Sequence, residues 1–119
     1  MKILGEHILI EYSKANTAVL NDEHAIRSMM IEAAKAIEVE VLHSYFHRFQ
    51  PQGITGVLVI AESHLTIHTW PEFDYAAVDI FTCGDTSLLA KAVSLLKERL
   101  FAKEVSEKKI KRGPHSAKN

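Results

Sequence analysis

Apolar positions along the chain follow two rhythms. Ile26, Met29, Met30, Ala33, Ala34 and Ile37 recur at spacings of three and four, with Glu23, Arg27, Glu32 and Lys35 between them. That spacing lines one stripe of a helix and predicts an amphipathic helix over about 22–37, with Asn21 or Asp22 as its cap. Leu88, Leu89, Ala92, Val93, Leu96 and Leu100 predict a second helix, preceded by a turn and cap at Gly84-Asp85-Thr86. Elsewhere the pattern alternates or runs apolar, as strands do. Lys2–Tyr12, Val39–Phe49, Thr55–Ala61, Leu65–Trp70 and Tyr75–Cys83 read as strands, divided by the turn Pro51-Gln52-Gly53 and by Pro71. Thr55–Ala61 is nearly all apolar, which predicts a strand buried on both faces. Lys103–Lys111 is a candidate last strand, with Val105 and Ile110 out of phase.

These elements predict one α+β domain over 1–119: a two-layer sandwich in which two helices cover one face of a mostly antiparallel sheet, in the order β-α-β-β-β-α-β. The other face must then meet water, a ligand or a partner. Side chains alternate along strands. Leu65, Ile67 and Thr69 therefore share one side, and His64, Thr66, His68 and Trp70 the other. Ala77, Asp79, Phe81 and Cys83 align likewise, as do Val41, His43, Tyr45, His47 and Phe49. One face is aliphatic; the other gathers histidine, aromatic, acid and thiol. The plainer reading of these histidines is a solvated surface.

Composition narrows the classes. The 119 residues are 47% hydrophobic and 24% charged, an ordinary globular profile, and a chain of this length buries roughly two-thirds of its unfolded surface. A formal charge of −1 argues against a nucleic-acid partner. No apolar run reaches the ~20 residues of a membrane span, and charges at Lys2 and Glu6 break any signal-peptide core. A single cysteine excludes an intrachain disulfide, so the cytoplasm is the expected compartment. Lys108–Asn119 reads as a solvated basic tail.

The residues alone leave the chemistry open. His43/His47 and His64/His68 stand four apart, but on strands that separation is about 13 Å, too far for one zinc. A site assembled across strands with Cys83 stays open, and nothing in the spacing requires it, so no metal is expected. No Gly-x-Ser-x-Gly elbow is present; Ser63 lies instead in a tight link between two strands.

The run Ala61-Glu62-Ser63-His64-Leu65-Thr66-Ile67-His68-Thr69-Trp70-Pro71-Glu72 resembles the self-cleavage segment of the short prokaryotic S-adenosylmethionine decarboxylase proenzymes. Phe46-His47-Arg48-Phe49, Gly53-Ile54-Thr55-Gly56-Val57, Leu4-Gly5-Glu6-His7 and the run from Ala76 to Gly84 extend the resemblance over roughly residues 2–113. It implies a pyruvoyl enzyme. Ser63 Oγ attacks the Glu62 carbonyl, the peptide becomes an ester, and loss of the Ser63 Cα proton expels the Glu62 carboxylate. The dehydroalanine left behind tautomerises to an imine, and water hydrolyses that imine to ammonia and the pyruvoyl group. A β chain of residues 1–62 and an α chain of residues 63–119 result.

By the same resemblance His68 is the proton acceptor in processing, and the chain has to bring it back beside the scissile bond. Cys83 is the proton donor in decarboxylation; an ordinary thiol, with a pKa of about 8.5, is mostly protonated at neutral pH. Thr55 stands where the family has a serine that assists processing, and its extra methyl stiffens the side chain. Phe49 and Trp70 are implied to stack on adenine, and Glu72 to accept from the ribose hydroxyls. The pyruvoyl group, through a Schiff base with the substrate amine, replaces pyridoxal phosphate as electron sink. The implied product is decarboxylated S-adenosylmethionine, the aminopropyl donor for spermidine, and the implied assembly is a homodimer of cleaved protomers, (αβ)2, with sites drawing on both subunits. Two alternatives stand beside it: a pyruvoyl-dependent arginine decarboxylase of the same fold, and an uncleaved, non-catalytic regulatory relative.

Overall fold

The computed structural model describes residues 4–61, 63–83 and 86–113. Six strands are present: β1 (Gly5–Ser13), β2 (Val41–Arg48), β3 (Ile54–Ile60), β4 (Ser63–Trp70), β5 (Tyr75–Thr82) and β6 (Glu104–Arg112). Three helices accompany them: α1 (Thr17–Leu20), α2 (Glu23–Ala36) and α3 (Leu89–Leu100). The strands form one antiparallel sheet in the order β2-β3-β4-β5-β1-β6. The α+β class and the one-sided helix layer are as expected. All four strand segments read between the two long helices are present, as β2–β5, so the order β-α-β-β-β-α-β is one strand short of its own segments; the one-turn α1 precedes α2.

Helix boundaries follow local chemistry. Asp22 accepts from the Ala25 N–H at 3.1 Å, so α2 starts at a side-chain cap. Asn16 caps α1 in the same way through Val19. α3 has Leu88 at its N-cap and no side-chain cap; Thr86 contributes only its carbonyl, which accepts from Leu89. Gly84 and Asp85 of the expected cap lie outside the described residues, as do Lys2 and Ile3 of the expected first strand.

The core lies between the sheet and α2–α3. Ile8, Ile10, Leu58, Ile60, Leu65, Ile67, Val78 and Ile80 point into it and meet Ile26, Met30, Ala33, Ala92 and Leu96. Tyr12 is fully buried among them, and its hydroxyl donates to the Val93 carbonyl at 2.9 Å, fastening β1 to α3. Burial of that ring pushes the phenol well above its ordinary range, with the Glu107 charge adding to the shift.

Three expectations need correction. β3 is buried on one face only: Ile54, Gly56, Leu58 and Ile60 are covered, Thr55 and Val57 are half-buried, and Val59 is 42% exposed. The helices reach one face of the sheet, so the apolar character of the other calls for a different cover. Val41 does not align with His43, because the register shifts between them: Val41 pairs with Ile60 and His43 with Val59. One extra residue in the strand puts Val41 on the helix side. Finally, residues 108–112 are not tail but the end of β6, paired to β1 along its length; residues 114–119 lie outside the described residues.

Candidate active site

The open face is a grid fixed by register. Reading across β3, β4 and β5, one row holds Thr55, His68 and Ala77; the next Val57, Thr66 and Asp79; the third Val59, His64 and Phe81. β1 adds Glu11, Leu9 and His7 to the same rows.

The third row ends beside Ser63. Ser63 opens β4 opposite Ile60, so two residues link β3 to β4. Its Oγ accepts the Cys83 N–H at 3.3 Å, which puts the exposed Cys83 next to Ser63 just past the end of β5. His64 stacks on Phe81 with centroids 5.5 Å apart, and His7 meets both rings edge-on. His7 Nε2 is buried without a hydrogen-bond partner among the described residues and stands 4.0 Å from Asp79 Oδ1, beyond hydrogen-bond reach. Glu62, the residue before Ser63, lies outside the described residues.

The other end of the sheet carries a separate constellation. Thr55 Oγ1 and His68 Nδ1 share a hydrogen bond of 3.0 Å, which fixes the imidazole plane. The two residues border a cleft of ≈200 Å³ with Phe49, Gln52, Trp70 and Glu72. Phe49 is 47% exposed, Trp70 38%. Trp70 leans on Tyr75, whose hydroxyl donates to Glu11. Partial burial, that bond, and the charges of Glu11 and Asp79 push the Tyr75 phenol up to about 12.

The structure therefore joins Ser63 with Cys83, and Thr55 with His68, Phe49, Trp70 and Glu72, but keeps the two groups apart. His68 is five residues along β4 from Ser63, about 17 Å in a strand. One chain does not bring His68 back to Ser63. Gln52, read only as a turn residue, and the Glu11–Tyr75 pair were not singled out as site residues, because their places depend on which distant strands and loops become neighbours. Among the described residues no group of three or more His, Cys, Asp or Glu is placed to hold a metal ion.

Fold and site together define a two-layer α+β protein whose chemistry-bearing side chains are divided between the two ends of one open sheet face. Comparison with known proteins gives this class a family. Residues 6–113 match the family model for S-adenosylmethionine decarboxylase. The S-adenosylmethionine decarboxylase proenzyme of Pelotomaculum thermopropionicum is 48% identical over 113 residues, covering 95% of this chain and 90% of that one. The proenzyme of Thermosipho melanesiensis is 51% identical over 105 residues, covering 88% of this chain and 81% of its own. The crystal structure of adenosylmethionine decarboxylase from Aquifex aeolicus superposes with a TM-score of 0.90 at 33% identity, covering 98% of this chain and 97% of that chain. The AdoMetDC-delta26 monomer of Trypanosoma brucei shares the fold, with a TM-score of 0.60 at 13% identity; the match covers 87% of this chain and 44% of that one. The chain belongs to the S-adenosylmethionine decarboxylase family.

Proposed function

We propose that the protein cleaves itself between Glu62 and Ser63 and then decarboxylates S-adenosylmethionine, yielding the aminopropyl donor of spermidine synthesis. The observation that carries the reading is the meeting of Ser63 and Cys83 at the β4–β5 end. A serine opening a strand after a two-residue link is placed to attack the preceding carbonyl. Cys83 is held next to that serine by its backbone N–H, and its thiol is the group we assign to return a proton to the substrate carbon after carbon dioxide leaves. The residues present fit a pyruvoyl group made from Ser63, and that group supplies the carbonyl electron sink the chemistry needs.

The remaining roles are assigned to the cleft at the far end. The faces of Phe49 and Trp70 suit an adenine and a neighbouring sulfonium, and the exposed Glu72 carboxylate suits ribose hydroxyls. His68, oriented by Thr55, takes the proton in processing.

Because these groups are about 17 Å from Ser63 in one chain, we assign each complete site to two chains. An antiparallel pair of open faces sets the Ser63–Cys83 end of one copy against the Thr55–His68 end of the other. Two further observations support a homodimer, (αβ)2 after cleavage. Val59, Tyr45 and Trp70 leave apolar surface on the open face. The cleft of ≈200 Å³ is smaller than the about 300–1,000 Å³ typical of ligand sites, as expected of a site that shares its walls with a second chain. No helix among the described residues is long and apolar enough to cross a membrane; the cytoplasm is the proposed compartment.

Carbon dioxide release from carboxyl-labelled S-adenosylmethionine and from arginine tests the reading. Turnover of the first and not the second is expected. Turnover of arginine, or of neither, contradicts it.

A further inference from the structure

The loop between β2 and β3 brings Phe49 and Gln52 to the cleft, and it is fastened to a corner of the fold that holds no proposed site residue. Asn21 Oδ1 accepts the Gly53 N–H at 3.0 Å, joining residues 32 apart in sequence. The Gly53 carbonyl in turn accepts from the Phe49 N–H at 2.8 Å. The next residue is held from the same corner: Thr69 Oγ1 accepts the Ile54 N–H at 2.9 Å and donates to the Leu20 carbonyl at 2.7 Å. Thr69 is 5% exposed, so these bonds are shielded from water. Gly53 has a φ of +101°, and a Cβ there would stand 3.2 Å from the Thr69 carbonyl oxygen. The loop has little slack where Asn21 grips it.

Asn21 is well placed to act as a fixed point. It ends α1, with its own N–H donating to Ala18 at 3.3 Å, and the next residue caps α2. A displacement of Gly53 would pass directly to Phe49 through their hydrogen bond. Its chain neighbours Ile54 and Thr55 run into β3 and are tied separately, by Thr69 and the β3–β4 ladder. The Asn21 amide thus bears on the aromatic side of the cleft more than on Thr55 and His68.

We propose that Asn21 is a positioning residue that sets substrate affinity by holding the Phe49 loop opposite Trp70. This rests on the decarboxylase reading above. In steady-state assays with S-adenosylmethionine, Asn21→Ala raises KM about five- to tenfold, the size of one net hydrogen bond, and leaves kcat within about twofold. Asn21→Asp, which keeps an acceptor oxygen in place, stays near wild-type KM. Asn21→Gln, which moves the amide by one methylene, gives the same KM rise should Asn21→Ala not accumulate. Amide hydrogen exchange on the same proteins, which needs no substrate, shows Gly53 exchanging faster in Asn21→Ala with the core strands unchanged. An unaltered KM in Asn21→Ala, a fall in kcat at constant KM, or equal losses in Asn21→Asp overturns the proposal. A wild-type protein inert toward S-adenosylmethionine sinks the preceding reading instead; unaltered Gly53 exchange then overturns this inference on its own.

Discussion

Ser63 and Cys83 meet because β4 and β5 pair from His64–Phe81 to Trp70–Tyr75, which brings the first residue of one strand to the end of the other. Ser63→Ala removes the proposed nucleophile, and the purified variant is expected to remain one full-length chain on a denaturing gel; normal cleavage would move the scissile bond elsewhere. Cys83→Ala is expected to lower carbon dioxide release by about 10²- to 10⁴-fold, the usual worth of a positioned proton donor, with cleavage scored separately on the same preparation. Unchanged turnover would remove Cys83 from the chemistry. Tyr75 gives a prediction about pH. Its folded-state pKa is raised to about 12, above the ordinary ~10 of an unfolded chain. The unfolded state therefore releases its proton first, and the stabilisation is complete below about pH 10 and lost as pH rises toward 12. The thermal midpoint of wild type is expected to fall relative to that of Tyr75→Phe across that window; a constant difference would contradict it.

At the scale of elements, the sheet depends on how closely β2 approaches β3. A Cβ on Gly56 would lie 2.3 Å from Cε1 of the buried Phe46 ring, so Gly56→Ala forces that ring aside. Overpacking of this kind costs about 1–3 kcal/mol, which urea denaturation would register as a lower midpoint. The long elements were legible in the sequence for local reasons. α2 carries a clean stripe and an Asp22 cap, and Pro71 stops β4 after Trp70. The bulge before His43 was not legible, because Val41 and His43 look in phase until β3 supplies the register. β6 was difficult for another reason. As an exposed edge strand its side chains need no alternation, and pairing with β1 alone makes it a strand. The motif residues could be named from sequence, but their division between two ends of the sheet could not. Ser63 and His68 look adjacent in a list and are a strand's length apart in space.

For the whole molecule, that division turns the proposed assembly into a testable requirement. Coexpression of Ser63→Ala with His68→Ala places an intact Ser63 and an intact His68 opposite each other at one of the two sites of a mixed dimer. Cleavage of the His68→Ala chain is expected to be restored when the partner is present and to stay low when it is expressed alone. No rescue would mean that each chain completes its own site. Val59→Asp, which puts a charge on the open face, is expected to shift the protein toward monomer in sedimentation and to lower cleavage with it. The proposed chemistry depends on breaking one bond, and a denaturing intact mass spectrum of the freshly purified protein tests that most directly. The expected result is two chains of 62 and 57 residues, the second lacking a free amine and carrying the mass of a pyruvoyl group at its start. A single species at the full mass of 119 residues, unchanged on prolonged incubation, would contradict it.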